Sequence, residues 1–271
     1  MSNMGNLAQR ILFAVIAIPV VIFLVYRGEW WYWGLTIALS LICYWECSNM
    51  LKARGFYTKA ALGGYVFILL IFLRAFPGAE PFLPLDLLIL ALIFGLSIME
   101  LIYKDINFSI SRLSVSAFCA AYLGLAGFAV YSLGTVFTPG WKLVLPFLVS
   151  IWMSDTLAYA AGRLFGSHLL YPAVSPKKTV EGGIGAIAGS TLGFQLLLVI
   201  NPGLPLYHVI IIGILIGLTG QTGDFIESLM KRWAGVKDSS HLLPGHGGVF
   251  DRIDSLLFSA PFVVAYFKYI V

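Results

Sequence analysis

Long apolar runs joined by short polar segments dominate the pattern of this chain. A helix needs about 17 to 25 apolar residues to cross the roughly 30 Å of hydrocarbon in a bilayer. Runs of that kind lie near residues 11–26, 30–51, 60–74, 85–103, 113–133, 142–162, 182–200, 206–229 and 254–270. They are continuous and do not alternate as the strands of a membrane barrel do. The pattern therefore predicts an all-α, polytopic integral membrane protein with about nine transmembrane helices.

Composition and the placement of positive charges agree with this prediction and orient it. Of the 271 residues, 59% are hydrophobic and 11% are charged. Most of the 17 Lys and Arg residues fall on one predicted side of the membrane, and the exceptions are Arg27, Arg74, Lys142 and Lys268. The positive-inside rule then places the N-terminus and the polar loops in the cytoplasm. We expect a protein of the cytoplasmic (inner) membrane, and its net charge of +4 gives no indication of nucleic-acid binding.

Polar residues are distributed unevenly along what we predict to be a single membrane domain, residues 1–271. Residues 1–140 are mainly scaffold spans, and residues 141–271 hold the segments with candidate chemistry and form the predicted catalytic half. In the first half, Glu46 and Glu100 place carboxylates within predicted spans. Each lies near the predicted cytoplasmic end of its helix, which favours partial solvation or pairing with a neighbouring base over catalysis.

Two polar segments open the catalytic half. Asp155 lies inside a predicted span, where a carboxylate should face protein or water, and it fits a packing role as well as a site role. The segment Ser175-Pro-Lys-Lys-Thr-Val-Glu-Gly-Gly reads as a loop that enters the next helix. Its pair Lys177 and Lys178 can hold phosphate beside the free backbone N–H groups of a helix start, although such a pair also arises from topology alone. Glu181 and the glycines after it favour a ligand, because glycine lets the backbone approach one closely.

A third segment ends the eighth predicted span. If it is helical, Asp224, Glu227, Ser228 and Lys231 share one face, because they follow the i, i+3, i+4, i+7 spacing. A structural salt-bridge face would look similar. Burying two acids at the membrane edge for structure alone is costly, however, so the face is a candidate site.

The fourth segment places Asp251 and Asp254 after a Gly-His-Gly-Gly loop, so two acidic helix ends can converge. Convergent carboxylates suit a hard cation, because Mg²⁺ prefers oxygen ligands and shares its carboxylates with substrate phosphates. Zinc fits poorly, because His241 and His246 have no third ligand nearby. The ensemble indicates magnesium-assisted phosphoryl or nucleotidyl transfer. The basic residues that can neutralise phosphate charge are Lys177, Lys178, Lys231, Lys237 and Arg252.

These segments resemble the signature blocks of the phosphatidate cytidylyltransferases, also called CDP-diacylglycerol synthases. The most specific block is Ser228-Leu-Met-Lys-Arg-x₄-Lys-Asp-x₅-Pro-Gly-His-Gly-Gly-x₂-Asp-Arg-Ile-Asp254. The blocks around Asp155, after Ser175 and at Gly220-Gln-x-Gly-Asp also resemble that family, and together they cover the C-terminal half. The first half resembles it only as a multi-span topology. Phe225 stands where leucine is more usual, but no charged motif position is missing.

The resemblance implies a reaction, its substrates and a cofactor. The phosphate of phosphatidic acid would attack the α-phosphorus of CTP, with Mg²⁺ as the divalent cation, to form CDP-diacylglycerol and pyrophosphate in phospholipid biosynthesis. A phosphomonoester is already a good nucleophile, so the enzyme mainly needs positioning and charge neutralisation. The lipid bilayer is the remaining implied partner, and a homo-oligomer is left open.

The resemblance also implies roles for particular residues. The implied metal ligands are Asp224 and Asp251, with Asp254 and Asp155 completing or supporting the shell. Lys177 and Lys178 would hold the triphosphate or the lipid phosphate, and Arg252 would stabilise the transferring charge. The further candidates for nucleotide contact are Lys231, Lys237, His246, Gly247 and Gly248. His246 fits equally well as a loop histidine bonded to backbone.

Two other functions remain open at this point. A CTP-dependent lipid kinase would use similar acidic and basic groups on the γ-phosphate. An ion-coupled membrane transporter would also place Asp and Glu within its spans. The polar motifs crowd into one half of this chain, whereas many transporters carry an internal repeat with matching broken helices.

Overall fold

A computed structural model describes residues 2–55, 61–78, 83–103, 106–243, 245 and 247–271, with side chains from Phe13 onward except that of Ala61. Within these residues the elements in chain order are α1 (Ser2–Arg27), α2 (Glu29–Ala53), α3 (Ala61–Arg74), α4 (Leu85–Tyr103), α5 (Ser109–Val136), α6 (Trp141–Phe165), β1 (Leu169–Tyr171), β2 (Ser175–Thr179), α7 (Val180–Phe194), α8 (Leu196–Ile200), α9 (Leu206–Ala234) and α10 (Phe250–Tyr269). The chain is therefore mostly helical, as the apolar runs predict.

Over its described residues each predicted apolar run falls on a helix, except that α10 ends one residue before the run 254–270 does. The run 182–200 is divided between α7 and α8 at Gln195. In the described part of the chain, 5 helical segments are long and apolar enough to cross a membrane: Leu85–Tyr103, Ser109–Val136, Trp141–Phe165, Val180–Ile200 and Leu206–Ala234. Two further apolar helical segments, Phe13–Arg27 and Leu62–Arg74, are shorter. Several candidate membrane-spanning helices are thus present among the described residues, as a polytopic membrane protein requires.

The exposed face of α4 shows the surface that such a helix presents. Phe94 and Leu101 are 66% and 77% exposed, whereas Leu92 and Leu96 on the same helix are buried. A contiguous apolar surface of this kind is unfavourable in water, but lipid tails are as apolar as leucine. The exposed side chains of α4 therefore indicate contact with lipid.

The first of two compact units contains the residues up to Phe128 together with Trp233–Asp251. Its core lies around α2, which packs on α3 and α5 at glycines. A side chain on Gly64 would collide with the Tyr44 ring, and one on Gly127 would collide with Ser40. Small residues allow close helix packing in membrane proteins, so these glycines set the spacing of the helices around α2.

The second unit contains Ala129–Arg232 and Arg252–Val271. A row of glycines on α7 faces α6, and its members are Gly182, Gly185, Gly189 and Gly193. A Cβ at Gly185 would lie 2.6 Å from the backbone oxygen of Leu157, so the two helix backbones are nearly in contact there. Gly182 belongs to this row, and its missing side chain serves helix packing.

A two-stranded antiparallel sheet interrupts the helices, which the all-α prediction omitted. β1 pairs with β2 in the register Leu169↔Thr179 and Tyr171↔Ser175. The segment that reads as a loop in the sequence is thus strand β2. Thr179 ends the strand and caps α7, because its Oγ1 accepts a hydrogen bond from the Gly182 N–H at 3.1 Å. The hairpin fixes the direction in which α7 begins.

Candidate active site

Three carboxylates of the second unit meet between two helices. Asp224 and Glu227 lie on α9, and Asp254 lies near the start of α10. Each offers an oxygen atom, and these atoms all lie within 4.8 Å of one another. Glu227 is 0% exposed and Asp254 is 8% exposed, whereas Asp224 is half-buried. Asp224, Glu227 and Asp254, hereafter the acidic cluster, therefore combine buried oxygen ligands with an accessible one.

Gly223 brings α9 and α10 close enough to form this cluster. A Cβ at Gly223 would lie 2.5 Å from the Phe258 Cβ and 2.8 Å from the backbone oxygen of Asp254. No other residue type fits at that distance without moving a helix. Helical spacing then places Glu227 on the same face as Asp224, as the sequence spacing predicts.

Two lysines approach the cluster from different elements. Lys178 Nζ on β2 lies 2.6 Å from Asp224 Oδ2, and Lys231 Nζ lies 2.5 Å from Glu227 Oε2. Lys231 follows Glu227 by one helical turn, so that pair is local to α9. Lys178 is distant in sequence, and the β1–β2 hairpin delivers it. The cluster therefore already contains cationic groups at positions where a phosphate can contact them.

The alternation of side chains along a strand separates the two neighbouring lysines. Successive side chains of a strand point to opposite faces. Lys178 points to Asp224 and is only 21% exposed, whereas Lys177 is exposed. The two neighbouring lysines thus have different surroundings. Within the described part of the chain, Lys178 forms an ion pair at the acidic cluster and Lys177 has none described there.

Asp155 and Arg252 complete the charged surroundings within the second unit. Asp155 is exposed on α6 and interacts electrostatically with Asp224, Lys178 and Arg252. Arg252 is exposed in the first turn of α10. The structure therefore groups the sequence candidates Asp155, Lys178, Asp224 and Asp254 in one region of this unit.

Comparison with known proteins decides the family. The sequence model described as the cytidylyltransferase family matches residues 8–270. This chain belongs to the cytidylyltransferase family. It is 31% identical over 267 residues to the phosphatidate cytidylyltransferase of Bacillus subtilis (strain 168), which covers 96% of this chain and 97% of that protein. It is 30% identical over 256 residues to the protein of the same name from Staphylococcus aureus (strain COL), which covers 93% of this chain and 95% of that protein.

Phe225 is a cytidylyltransferase residue whose role emerges only from the structure. The Lys178 Nζ lies 4.1 Å from the centroid of the Phe225 ring. A cation above an aromatic face is attracted by the ring quadrupole. Phe225, which replaces the leucine expected from the resemblance, therefore helps to hold the ammonium that pairs with Asp224.

Asp251 lies in the first unit, where its own loop surrounds it. Its Oδ2 accepts hydrogen bonds from the Ser239 N–H at 2.9 Å, the Ser239 hydroxyl at 2.9 Å and the Gly248 N–H at 2.8 Å. Gly247 has a φ of +85°, and a Cβ there would lie 2.9 Å from Asp251 Oδ2. Glycine is thus required at position 247 both for the backbone conformation and for the approach of the carboxylate.

The remaining sequence candidates of the cytidylyltransferase site differ in their surroundings. Lys237 and Lys177 are exposed. Gly248 is buried, and a side chain there would collide with Ser239 and approach Glu46 within 2.6 Å. His246 lies outside the residues that the structure describes. Nucleotide contact by these residues stays a prediction.

The set of metal ligands chosen from the sequence omits Glu227. The sequence spacing could have indicated Glu227 as a ligand, because it follows Asp224 by three residues on the same helix. Glu100, by contrast, pairs with a base as expected, since Arg112 Nε lies 3.0 Å from its Oε1. The expectation of solvation or a neighbouring base is wrong for Glu46, which is 0% exposed and bonds hydroxyl and backbone N–H groups.

Proposed function

We propose that this cytidylyltransferase transfers the cytidylyl group of CTP to phosphatidic acid and releases pyrophosphate. The observation that carries the proposal is the match to phosphatidate cytidylyltransferases over nearly the whole chain. The acidic cluster and its lysines supply groups of the kind that such a transfer needs. A CTP-dependent lipid kinase and a transporter have no comparable support.

The proposed reaction is a single displacement at phosphorus. An oxygen of the lipid phosphate forms a bond to the α-phosphorus of CTP. The bond from that phosphorus to the oxygen that bridges it to the β-phosphate breaks, and pyrophosphate leaves with the electron pair. No covalent bond to the protein is needed, because the phosphomonoester is itself the nucleophile.

The acidic cluster fits a magnesium ion by its donor set. Three carboxylates from two helices offer oxygen atoms within 4.8 Å of one another, and Mg²⁺ prefers such hard ligands. We assign Asp224, Glu227 and Asp254 as the magnesium ligands, and Asp155 as a neighbouring carboxylate that completes or supports the ligand shell. Asp251 remains a candidate ligand from the sequence. When bound, the ion would neutralise phosphate charge.

The basic residues orient and neutralise the substrates in this proposal. Lys178 and Lys231 lie at the acidic cluster, where they pair with Asp224 and Glu227. In the proposal each lysine exchanges its carboxylate partner for the triphosphate when CTP binds. Arg252, in the first turn of α10, stabilises the transferring charge. Lys177 points away from Lys178 along the strand, so we assign it to the lipid phosphate. Lys237, His246, Gly247 and Gly248 remain candidates for nucleotide contact.

An isotope experiment tests the function. Purified protein is given phosphatidic acid, Mg²⁺ and CTP labelled at either the α- or the γ-phosphorus. Cytidylyl transfer puts the α-label and cytidine into lipid, whereas a lipid kinase puts only the γ-label there. If the purified protein transports a substrate across the membrane but does not turn over CTP, both proposed enzyme functions are refuted.

We also propose that about nine helices span the membrane and that the site faces the cytoplasm. The native cysteines Cys43, Cys47 and Cys119 are buried, so introduced cysteines can report the sidedness of loops. Lys237→Cys should react with an impermeant maleimide from the cytoplasmic side, and Lys142→Cys from the opposite side. Reaction of both from the same side would refute the orientation.

A further inference from the structure

Glu46 connects the first half of the chain to residues 239–240 and 248–250 of the signature block, hereafter the signature segment. It lies on α2 and is 0% exposed. Its Oε1 accepts hydrogen bonds from the Ser240 hydroxyl at 2.6 Å and the Val249 N–H at 2.9 Å. Its Oε2 accepts from the Ser239 hydroxyl at 3.0 Å and the Phe250 N–H at 2.7 Å. All of these groups belong to the first unit.

The donors match what an ionised carboxylate can accept. Oε1 accepts two hydrogen bonds and Oε2 accepts one from the Phe250 N–H. The single hydroxyl hydrogen of Ser239 is shared between Glu46 Oε2 and Asp251 Oδ2. A buried carboxylate costs several kcal/mol unless it is paired or hydrogen-bonded, and here hydroxyl and backbone N–H groups meet that need. A residue kept for packing alone would not require this arrangement.

The contact also replaces a helix cap. Phe250 is the first residue of α10, and the first N–H groups of a helix lack partners within it. Such groups are usually satisfied by a side chain next to the helix start. Here the acceptor comes from α2, about two hundred residues earlier in the chain, and its negative charge suits the positive end of the helix dipole. The start of α10 is therefore anchored to α2.

The same contacts extend to Asp251. The Ser239 hydroxyl lies 3.0 Å from Glu46 Oε2 and 2.9 Å from Asp251 Oδ2. Gly248 donates its N–H to Asp251, and its missing side chain leaves room for the Glu46 carboxylate. Glu46 and Asp251 thus share the Ser239 hydroxyl, and both carboxylates lie beside Gly248.

We propose that Glu46 is a positioning residue for cytidylyl transfer. It holds the signature segment, which includes Phe250 at the start of α10, so that the Asp251 side chain keeps one orientation. The catalytic part of this inference rests on the proposed function, whereas the structural part does not. A group that acts through another in this way affects turnover more than substrate affinity.

The test compares Glu46→Gln with Glu100→Gln. Both change a buried glutamate of the first unit to an amide, but Glu100 bonds Arg112 and not the signature segment. In Glu46→Gln one carboxylate oxygen becomes an –NH₂ group, which cannot accept a hydrogen bond from the donors that face it. Deuterium exchange at the Val249 and Phe250 N–H groups should therefore rise about 10-fold or more. The kcat should fall about 10- to 100-fold with KM for CTP changed far less. Glu100→Gln should leave exchange at these two groups unchanged.

Thermal unfolding of each purified variant in detergent shows that folded protein is compared. If Glu46→Gln does not fold, Glu46→Asp keeps the charge but withdraws the carboxylate by one methylene, so exchange at Val249 and Phe250 should rise. Unchanged exchange in folded Glu46→Gln or in folded Glu46→Asp, or an equal rise in Glu100→Gln, would overturn the inference. If wild-type protein makes no CDP-diacylglycerol, the proposed function fails, and the exchange measurements still decide the anchoring role.

Discussion

The Lys178 Nζ lies 2.6 Å from Asp224 Oδ2, so a strand of the hairpin and helix α9 are joined by an ion pair at the acidic cluster. The two side chains are 21% and 32% exposed, which leaves the pair open to an arriving phosphate. Its neighbour Lys177 is exposed on the opposite face of the strand. The two lysines should therefore affect different steps.

Lys178→Ala should lower kcat by about 100-fold, because it removes a cation from the position where phosphate charge is neutralised. Lys177→Ala should act mainly on the KM for phosphatidic acid, with kcat reduced less than 10-fold. Steady-state kinetics with both substrates varied measures each effect. Equal losses of kcat in the two variants would contradict the separation by strand geometry.

Phe225→Leu should reduce turnover modestly, by about 2- to 5-fold, because the cation–π contact with Lys178 contributes about 0.5 to 1 kcal/mol. Phe225→Tyr keeps an aromatic face and is the matched control, with turnover near that of the wild type. Initial rates at saturating CTP measure both. Full activity in Phe225→Leu together with a loss in Phe225→Tyr would show that ring attraction is not the reason for the residue.

The long helices were predictable because a helix that can cross a bilayer must carry a long apolar run. The predicted run 85–103 has the same limits as α4. The face that carries Asp224 and Glu227 was also visible, because helical spacing is local. Both signals depend only on residues within a few turns of one another.

The hairpin and the role of Glu46 could not be predicted, because both depend on partners that no local sequence pattern indicates. Strand β2 has only 5 residues and its sequence Ser-Pro-Lys-Lys-Thr carries no apolar alternation. Its pairing with β1 gives it structure that the segment does not encode alone. The partners of Glu46 lie 193 to 204 residues away, so no local pattern could indicate hydroxyl and backbone donors in place of a base.

Glu227→Gln should raise the Mg²⁺ concentration needed for half-maximal activity by about 10-fold or more, because it removes a charged oxygen ligand from the acidic cluster. Glu181→Gln is the comparison, since the Glu181 carboxylate bonds Ser167 and His168. A magnesium titration of activity at fixed CTP and phosphatidic acid measures the shift. An unchanged titration in Glu227→Gln would remove Glu227 from the proposed ligand set.

Asp224→Asn and Asp251→Asn should each lower activity by about 100-fold or more, the scale of removing a charge-stabilising group. Turnover of CTP with phosphatidic acid and Mg²⁺ measures the loss in each purified variant. Near-normal turnover in both variants would refute the assignment of Asp224 to the metal and would remove Asp251 from the candidate ligands.

Gly223→Ala should separate α9 from α10 and so move Asp224 away from Asp254. The added Cβ would lie 2.5 Å from the Phe258 Cβ, and overpacking of this kind costs about 1 to 3 kcal/mol. We expect a lower Tm in detergent and a loss of activity of about 10-fold or more, because catalysis depends on positions held within about 1 Å. Gly95→Ala on α4 is the matched control, since among the described residues a Cβ built there has no atom within 4 Å other than the neighbouring residues and the backbone of its own helix. If Gly223→Ala keeps both its Tm and its activity, the close approach of the two helices does not set the geometry of the acidic cluster.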